Sequence, residues 1–350
     1  MWVLMHSGQA PALDRVAQMA GPSADALIDE LFARPAEQGT SFGLCALRNG
    51  EFVAERYGVR PSNDFEPAET LTSESTLLSW SIAKSITHAA VGILVADGLI
   101  DLEAPAPVPE WAGTDRASIT TNQLLEMRSG LRFVEDYVDD RSSHCIEMLF
   151  GGTDPSFAHY AASQPLEHQP GDVFNYSSGT TNIVCRIIGD LVTGSPGGDP
   201  AARADAVHRF LQERLFEPTG MSSAIAKFDD AGDFVGSSFV YATTQDFARF
   251  GQLYLHDGVA LGGTGDRVLP AGWLEHARSL TAHDDDTGLG YGRHWWLWHA
   301  FPGSLACHGF EGQFVVVFPD RDLVLAHLGA TPTPYNTSIQ MRLARLAERL

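Results

Sequence analysis

The stretch SIAKSITHAAVGILVADG at residues 81–98 decides the fold, because its pattern predicts a helix that is buried on every side. Beyond His88 the residues are apolar at almost every helical position, which is typical of a helix in the middle of a core. Asp97 and Gly98 end it, since glycine readily takes the left-handed conformation that follows a helix C-terminus. The rest of the chain is therefore expected to pack around this helix.

Ser81 and Lys84 lie in the first turn of that helix. Their spacing places both side chains on one face, with about 4.5 Å of rise between them, and Ser81 lies at the positive end of the helix dipole. A lysine held at a buried helix start loses water, which favours the neutral amine that acts as a base. The pair indicates a serine nucleophile with a lysine base. The alternative is an N-cap serine followed by a lysine that reaches solvent.

Composition limits the function classes. The 350 residues are 44% hydrophobic and 19% charged, so the chain can bury a large core. A net charge of −21 argues against nucleic acid and anionic membranes as partners. No apolar run is long enough to span a membrane, and the apolar start at residues 1–6 lacks the basic region of a signal peptide. We therefore expect a cytoplasmic protein; whether it forms a homodimer stays open.

No metal or organic cofactor is expected. The four cysteines are widely spaced without a CxxC pair, so they are interpreted as buried thiols. The thirteen histidines include no HExxH pattern. Several acidic residues are interpreted as solvated loop residues rather than calcium ligands: Glu135, Asp136, Asp139, Asp140 and Asp284 to Asp286.

Strand patterns occupy both ends of the chain. Asn49-Gly50 between the apolar runs 42–47 and 52–57 predicts a hairpin, because both turn residues must take positive φ. Three more strands are predicted at 292–299, 313–318 and 323–328. Helices are predicted up to Phe32 near the start, over 182–191, and over 338–350. The pattern predicts one α/β (α+β) domain over 1–350, in which both chain ends (about 1–85 and 226–350) form the antiparallel sheet and 86–225 form a helical part.

Two further segments carry chemistry-bearing residues. The turn PGDVFNYSSGT at 170–180 presents Tyr176 just before a helix, although a structural tyrosine is the alternative. The segment CHGFEGQ at 307–313 leads into a strand, and its glycines would let a ligand approach the backbone closely. A third pattern, GTSFG at 39–43, matches the GxSxG nucleophile elbow. That elbow needs a helix after the serine, and Ser41 instead opens a hairpin strand, so it is not expected to react.

These segments, in this order, resemble the serine β-lactamase and penicillin-binding-protein superfamily. The similarity is closest to class C β-lactamases, family VIII carboxylesterases and 6-aminohexanoate-dimer hydrolases. The three boxes of that superfamily correspond here to Ser81-x-x-Lys84, Tyr176-Ser177-Ser178 and Cys307-His308-Gly309. The segments EMRSGL at 126–131 and EDYVD at 135–139 also match, as do Trp295-Trp296 and GQF at 312–314. The resemblance implies a β-lactamase/transpeptidase-like fold.

The resemblance also implies a mechanism and a site. Ser81 would attack an ester or amide carbonyl while Lys84 and Tyr176 take its proton, and the N–H groups of Ser81 and Phe310 would form the oxyanion hole. A Lys84 cation would lower the pKa of Tyr176, so that the two titrate as a unit. The remaining substrate-binding residues implied are Gly309, Ser178, Tyr137 and His308. The expected partner is a small ester or amide.

Two residues depart from the superfamily pattern. Ser178 replaces an asparagine common in class C β-lactamases, and Cys307 replaces the lysine that helps hold a β-lactam carboxylate. The sequence therefore favours an esterase or amidase over an efficient β-lactamase. An acyltransferase, a weak β-lactamase or D-alanyl carboxypeptidase, and a non-catalytic ligand sensor or scaffold stay open as alternatives.

Overall fold

The computed structural model describes residues 21–62, 67–137, 143–299 and 301–350. Its strands, in chain order, are β1 (Thr40–Arg48), β2 (Glu51–Tyr57), β3 (Val59–Arg60), β4 (Glu69–Thr70), β5 (Leu77–Leu78), β6 (Ile225–Ala226), β7 (Val240–Ala242), β8 (Ala282–His283), β9 (Gly290–Tyr291), β10 (Trp296–Leu297), β11 (Leu305–Gly309), β12 (Gln313–Phe318) and β13 (Leu323–Ala330).

The helices lie mostly between the two groups of strands. They are α1 (Ala24–Phe32), α2 (Ile82–Ala96), α3 (Thr121–Leu125), α4 (His144–Phe150), α5 (Phe157–Ala162), α6 (Ser178–Thr193), α7 (Pro200–Leu211), α8 (Thr244–Leu255), α9 (Trp273–Arg278) and α10 (Asn336–Ala347). A π-helical turn (Gln212–Phe216) continues α7.

One antiparallel sheet of eight strands organises the molecule. Its order is β2-β1-β13-β12-β11-β10-β9-β8, so strands from both chain ends meet at the β1–β13 pair. This confirms the predicted antiparallel sheet built from the two ends with helices around it. Smaller sheets join β3 to β4, and β5 to β7 and β6. The finer division into a sheet part and a helical part stays a prediction.

Helices cover both faces of the sheet. On one face α1 and α10 pack together through leucines and isoleucines such as Leu31 and Leu343. On the other face lie α8 and α2, and every residue of α2 from Ile82 to Leu94 is buried. The chain leaves α2 as predicted: Gly98 has φ 72° and its N–H donates to the Val95 carbonyl at 3.0 Å.

The predicted hairpin is confirmed. Asn49 (φ 50°) and Gly50 (φ 81°) form the two-residue turn, and Arg48 pairs with Glu51 across it. Both turn residues therefore adopt the positive φ that this type of turn needs.

The strand predicted over 292–299 is too long. Only β10 lies within it, and residues 292–295 instead form the turn between β9 and β10, in which the Gly292 N–H donates to the Trp295 carbonyl at 2.9 Å. His294 has φ 57° in this turn, and its ring nitrogens lie 3.0 Å from the Thr181 hydroxyl and 2.9 Å from the Leu125 carbonyl oxygen. These distant contacts stabilise a strained conformation that no local pattern reports.

The described helices include none that is both long and apolar enough to cross a membrane. All four cysteines are buried thiols, as predicted.

Candidate active site

A strained turn delivers Ser81 to the start of α2. The preceding Ser79 is fixed to β7, because its N–H donates to the Val240 carbonyl at 2.8 Å and its hydroxyl accepts from the Val240 N–H at 3.1 Å. Trp80 then takes φ 44°, a conformation rare for a residue with a side chain. The Ser81 hydroxyl makes no capping hydrogen bond. Ser81 thus occupies the N-cap position of α2 without a capping side-chain hydrogen bond, and its hydroxyl is available for other contacts.

Lys84 is buried, with 1% of its surface exposed. Its Nζ atom lies within hydrogen-bond distance of three oxygens: the Ser81 hydroxyl at 2.9 Å, the Ser178 hydroxyl at 2.9 Å and the Ser237 carbonyl at 3.0 Å. The alternative of a lysine that reaches solvent is therefore wrong. The three acceptors hold Nζ in one place, directly beside the Ser81 oxygen.

Tyr176 lies against the same lysine. Lys84 Nζ is 4.8 Å from the centre of the tyrosine ring. Burial raises the pKa of Tyr176, the nearby Lys84 lowers it, and burial prevails. Lys84 therefore acts in the expected direction on this pKa, but burial outweighs it and the net shift is upward. The phenol keeps its proton at neutral pH and can donate it.

The prediction that Glu135 is a solvated loop residue is wrong. Its side chain is only 9% exposed and its Oε1 atom lies 4.0 Å from Lys84 Nζ. It accepts hydrogen bonds from the Ser178 hydroxyl at 2.5 Å and from the Ser178 N–H at 2.8 Å. Ser178 is the first residue of α6. Its hydroxyl contacts both Lys84 and Glu135 and therefore bridges them. The Tyr137 hydroxyl is a third donor to the same carboxylate. These three hydrogen bonds offset the loss of water around the buried Glu135 side chain.

The end of β11 lies against the turn that carries Ser81. A Cβ atom at Gly309 would stand 2.7 Å from the Ser79 carbonyl oxygen and 3.4 Å from the Ile82 side chain, so only glycine fits there. The next residue, Phe310, packs its ring edge against Trp80 at 5.7 Å. The end of β11 therefore packs against the residues on both sides of Ser81.

Tyr137 stacks on the Phe310 ring with 4.7 Å between ring centres. Its hydroxyl donates to Glu135 Oε1 at 2.5 Å, and burial raises its pKa well above the ordinary value. The phenol is thus neutral, with its proton directed at the carboxylate and its oxygen lone pairs left to accept. Asp139 and Asp140, which follow, lie outside the described residues.

His308 and Cys307 serve the framework of the site. The His308 ring stacks on Trp296 at 5.1 Å and accepts a hydrogen bond from the Trp298 indole at 2.8 Å, and burial lowers its pKa to about 3. The Trp296 ring in turn lies 5.4 Å from the Tyr176 ring. His308 therefore supports Tyr176 indirectly, by packing against Trp296. Cys307 is 1% exposed, and burial raises the pKa of its thiol. It is neutral and supplies no cation.

Comparison with known proteins identifies the family. The model of the family described as Beta-lactamase matches residues 24–347. The chain belongs to the β-lactamase family. The resemblance inferred from the sequence is confirmed.

Relatives of this β-lactamase-family chain have varied names. It is 27% identical over 317 residues to a 6-aminohexanoate-dimer hydrolase of Paenarthrobacter ureafaciens, covering 85% of this chain and 74% of that protein. A family VIII carboxylesterase structure matches with a TM-score of 0.67 and 18% identity, over 99% of this chain and 100% of that one. The D-amino acid amidase from Ochrobactrum anthropi matches with a TM-score of 0.66 and 17% identity, over 93% and 96%. The two structures share the fold.

Ser41 has a structural role in this β-lactamase-family chain. It is 2% exposed, and its Oγ atom lies 2.9 Å from His327 Nε2, while the Arg34 guanidinium donates to it at 3.1 Å. His327 Nδ1 lies 3.0 Å from the Gly312 carbonyl oxygen. A carbonyl only accepts, so Nδ1 carries the ring proton and Nε2 accepts from Ser41. The network joins β1 and β13 to the turn after Phe310.

Within residues 21–62, 67–137, 143–299 and 301–350, no group of three or more His, Cys, Asp or Glu side chains is placed to hold a metal ion. Asp284 instead accepts hydrogen bonds from Thr287. Sequence reasoning missed Glu135 and the Ser237 carbonyl. One feature of the sequence could have indicated that Glu135 belongs to the site. It lies two residues before Tyr137, within the segment 135–139 that resembles the superfamily.

Proposed function

We propose that this protein is a serine hydrolase that cleaves small esters and linear amides through an acyl-enzyme on Ser81. The observation that carries the proposal is the buried Lys84 amino group, held 2.9 Å from an uncapped Ser81 hydroxyl. A base within hydrogen-bond reach of a serine at a helix N-terminus is the arrangement that nucleophilic catalysis needs.

Acylation begins with attack of the Ser81 oxygen on the carbonyl carbon. The new O–C bond forms as the hydroxyl proton passes to the Lys84–Tyr176 pair, with Lys84 in its amine form at that moment. The carbonyl electron pair moves to the oxygen, and the Ser81 and Phe310 N–H groups stabilise the resulting anion. One such donor contributes about 3 kcal/mol in other hydrolases.

Collapse of this intermediate breaks the bond to the leaving group. Tyr176 donates the proton, in keeping with a phenol whose pKa is raised by burial. Water then attacks the acyl-enzyme, the same pair accepts its proton, and Ser81 is released with its proton restored. The steps consume one water and need no further reactant.

The surroundings of Ser81 favour apolar substrates. Trp80 lies 5.7 Å from Phe310 and 6.3 Å from Phe239, which is itself 6.2 Å from the exposed Phe150. This series of aromatic rings leads from the nucleophile to solvent and suits the acyl or alcohol part of an ester. Cys307 stands where β-lactamases place a lysine, so a β-lactam carboxylate gains no cation from that position.

The names of the relatives agree with this function. The 6-aminohexanoate-dimer hydrolase, the carboxylesterase and the D-amino acid amidase are named for action on amides or esters. They support the proposed reaction class.

A substrate panel tests the proposal. Wild type and Ser81→Ala are incubated with p-nitrophenyl esters of short acids, small linear amides and nitrocefin, with and without an added alcohol or amine acceptor. We expect ester hydrolysis, weaker amide hydrolysis and poor nitrocefin turnover, all lost in Ser81→Ala. Acyl products formed mainly on the acceptor would identify an acyltransferase instead. No turnover of any substrate would favour a non-catalytic sensor.

A further inference from the structure

We propose that Glu135 is a positioning residue for the Ser81–Lys84 pair, acting through the Ser178 hydroxyl. The proposal rests on the acyl-enzyme function proposed above and adds a carboxylate that the three sequence boxes do not contain.

The first step concerns the single proton of the Ser178 hydroxyl. This hydroxyl donates to Glu135 Oε1 at 2.5 Å, and the Ser178 N–H donates to Oε2 at 2.8 Å. Since the hydroxyl has one proton, the carboxylate fixes it on the side away from Lys84. A lone pair of Ser178 Oγ therefore faces Lys84 Nζ, 2.9 Å away. Without Glu135 the hydroxyl is free to turn its proton towards the lysine.

The second step concerns charge. Glu135 Oε1 lies 4.0 Å from Lys84 Nζ, and the two side chains are 9% and 2% exposed. When Lys84 takes the Ser81 proton, a full ammonium forms in a poorly hydrated place, where a carboxylate at this distance stabilises it strongly. The carboxylate therefore strengthens the base at the moment of attack.

The third step concerns the other titratable groups of this enclosure. Those that interact with Lys84 or Glu135 are Tyr137, Cys145, Tyr176, Tyr291 and His294. Burial raises the pKa of each phenol and brings the pKa of the Cys145 thiol to about 12, and it lowers the pKa of His294 to about 3. All five are neutral near pH 7. None of these five groups therefore competes with Glu135 for the ammonium that forms on Lys84 when it takes the Ser81 proton.

Replacing the charge but keeping the shape isolates this role. In Glu135→Gln the protonated form of Lys84 loses its negatively charged neighbour. The pKa of Lys84 should therefore fall, so that Lys84 becomes protonated only at lower pH. The acidic limb of the kcat/KM profile should move down by about one pH unit. The plateau of kcat should fall on the order of tenfold, since the weaker base accepts the proton less readily. KM for a small ester should change little, because Glu135 does not touch it.

The experiment compares wild type, Glu135→Gln, Ser178→Ala and the double variant with p-nitrophenyl acetate across pH. Fluorophosphonate labelling of Ser81 measures acylation in the same samples. The double variant should lose no more activity than the more impaired single variant, because both residues act through one route. The matched control is Glu126→Gln: Glu126 is also buried but is ion-paired with Arg293 at 2.8 Å, so its loss should lower stability without moving the pH limb.

Either of two results would overturn the proposal: an unshifted pH limb in a folded Glu135→Gln, or losses that add in the double variant. If Glu135→Gln fails to fold, the variant Glu135→Asp tests the proposal instead. It keeps the charge on a shorter side chain, so kcat should fall while the pH limb stays in place, and wild-type kcat would overturn the positioning role. A wild-type enzyme that is not acylated on Ser81 would overturn the hydrolase function first, and this proposal with it.

Discussion

Lys84 Nζ lies 2.9 Å from the hydroxyl oxygen of Ser81, one helical turn earlier on the same buried helix. Adjacent residues of a helix diverge, whereas residues three apart share a face. The contact is therefore built into the first turn of α2. Its burial distinguishes this pair from the many exposed Ser–Lys pairs on helix surfaces.

We predict that Ser81 is the only serine that forms a covalent adduct. A fluorophosphonate should add one mass increment per chain, and peptide mapping should assign it to Ser81. Ser81→Ala should abolish both labelling and turnover. Ser41→Ala serves as the control, because Ser41 is buried beside His327 and should be dispensable for labelling. An adduct on Ser41 would refute the assignment.

Arginine should not replace Lys84. A guanidinium keeps the charge but does not release its proton at working pH. Lys84→Arg should therefore lower kcat by about 10³-fold or more, through loss of the base together with its geometry. Steady-state kinetics on a p-nitrophenyl ester measures the loss, and a thermal melt checks folding. Near-wild-type kcat in a folded variant would make Lys84 a structural residue.

Tyr137 should matter more for amides than for esters. Its hydroxyl proton is held by Glu135 at 2.5 Å, so the phenol oxygen can accept the N–H of an amide substrate. An ester has no such N–H. Tyr137→Phe should lower kcat/KM for small linear amides at least tenfold, about 1.4 kcal/mol, while ester hydrolysis stays near the wild-type rate. Equal losses on both substrates, or none on either, would remove Tyr137 from the site.

Acid should destabilise the fold through its buried histidines. Burial lowers the pKa of His294 and His327 to about 3, below the ordinary value of about 6.5. Between these values the unfolded chain binds more protons than the folded one. The contribution of these histidines to the free energy of unfolding is therefore fully present above about pH 6.5. It falls as the pH decreases, by about 1.4 kcal/mol per pH unit for each such histidine.

Urea unfolding at pH values from 7.5 to 5 tests this. His327→Gln should be less stable at pH 7.5, because it loses the Ser41 and Gly312 contacts, yet its stability should depend less on pH than that of wild type. The exposed His208→Gln is the control and should keep the wild-type slope. An unchanged slope in His327→Gln would contradict the prediction.

Local sequence patterns determined the central elements of this protein. The apolar periodicity of 81–98 defined α2, Asn49-Gly50 defined the hairpin, and the three-residue spacing of Ser81 and Lys84 fixed their contact. Each of these features depends on residues within one or two turns of each other. Helical repeat, turn conformation and burial pattern therefore suffice to predict them.

Only the tertiary structure decided the surroundings of that pair. The Ser237 carbonyl reaches Lys84 from 153 residues away, and Glu135 reaches Ser178 across 43 residues. The strained turn at His294 likewise exists because Thr181 and Leu125 hold the ring. Such contacts form when separate elements pack and exclude water, and only then does a loop carboxylate become a buried counter-charge. A local sequence pattern does not specify which distant groups will come into contact. The burial of Glu135 therefore could not be predicted from residues 135–139 alone, because it depends on how the helices pack on the sheet.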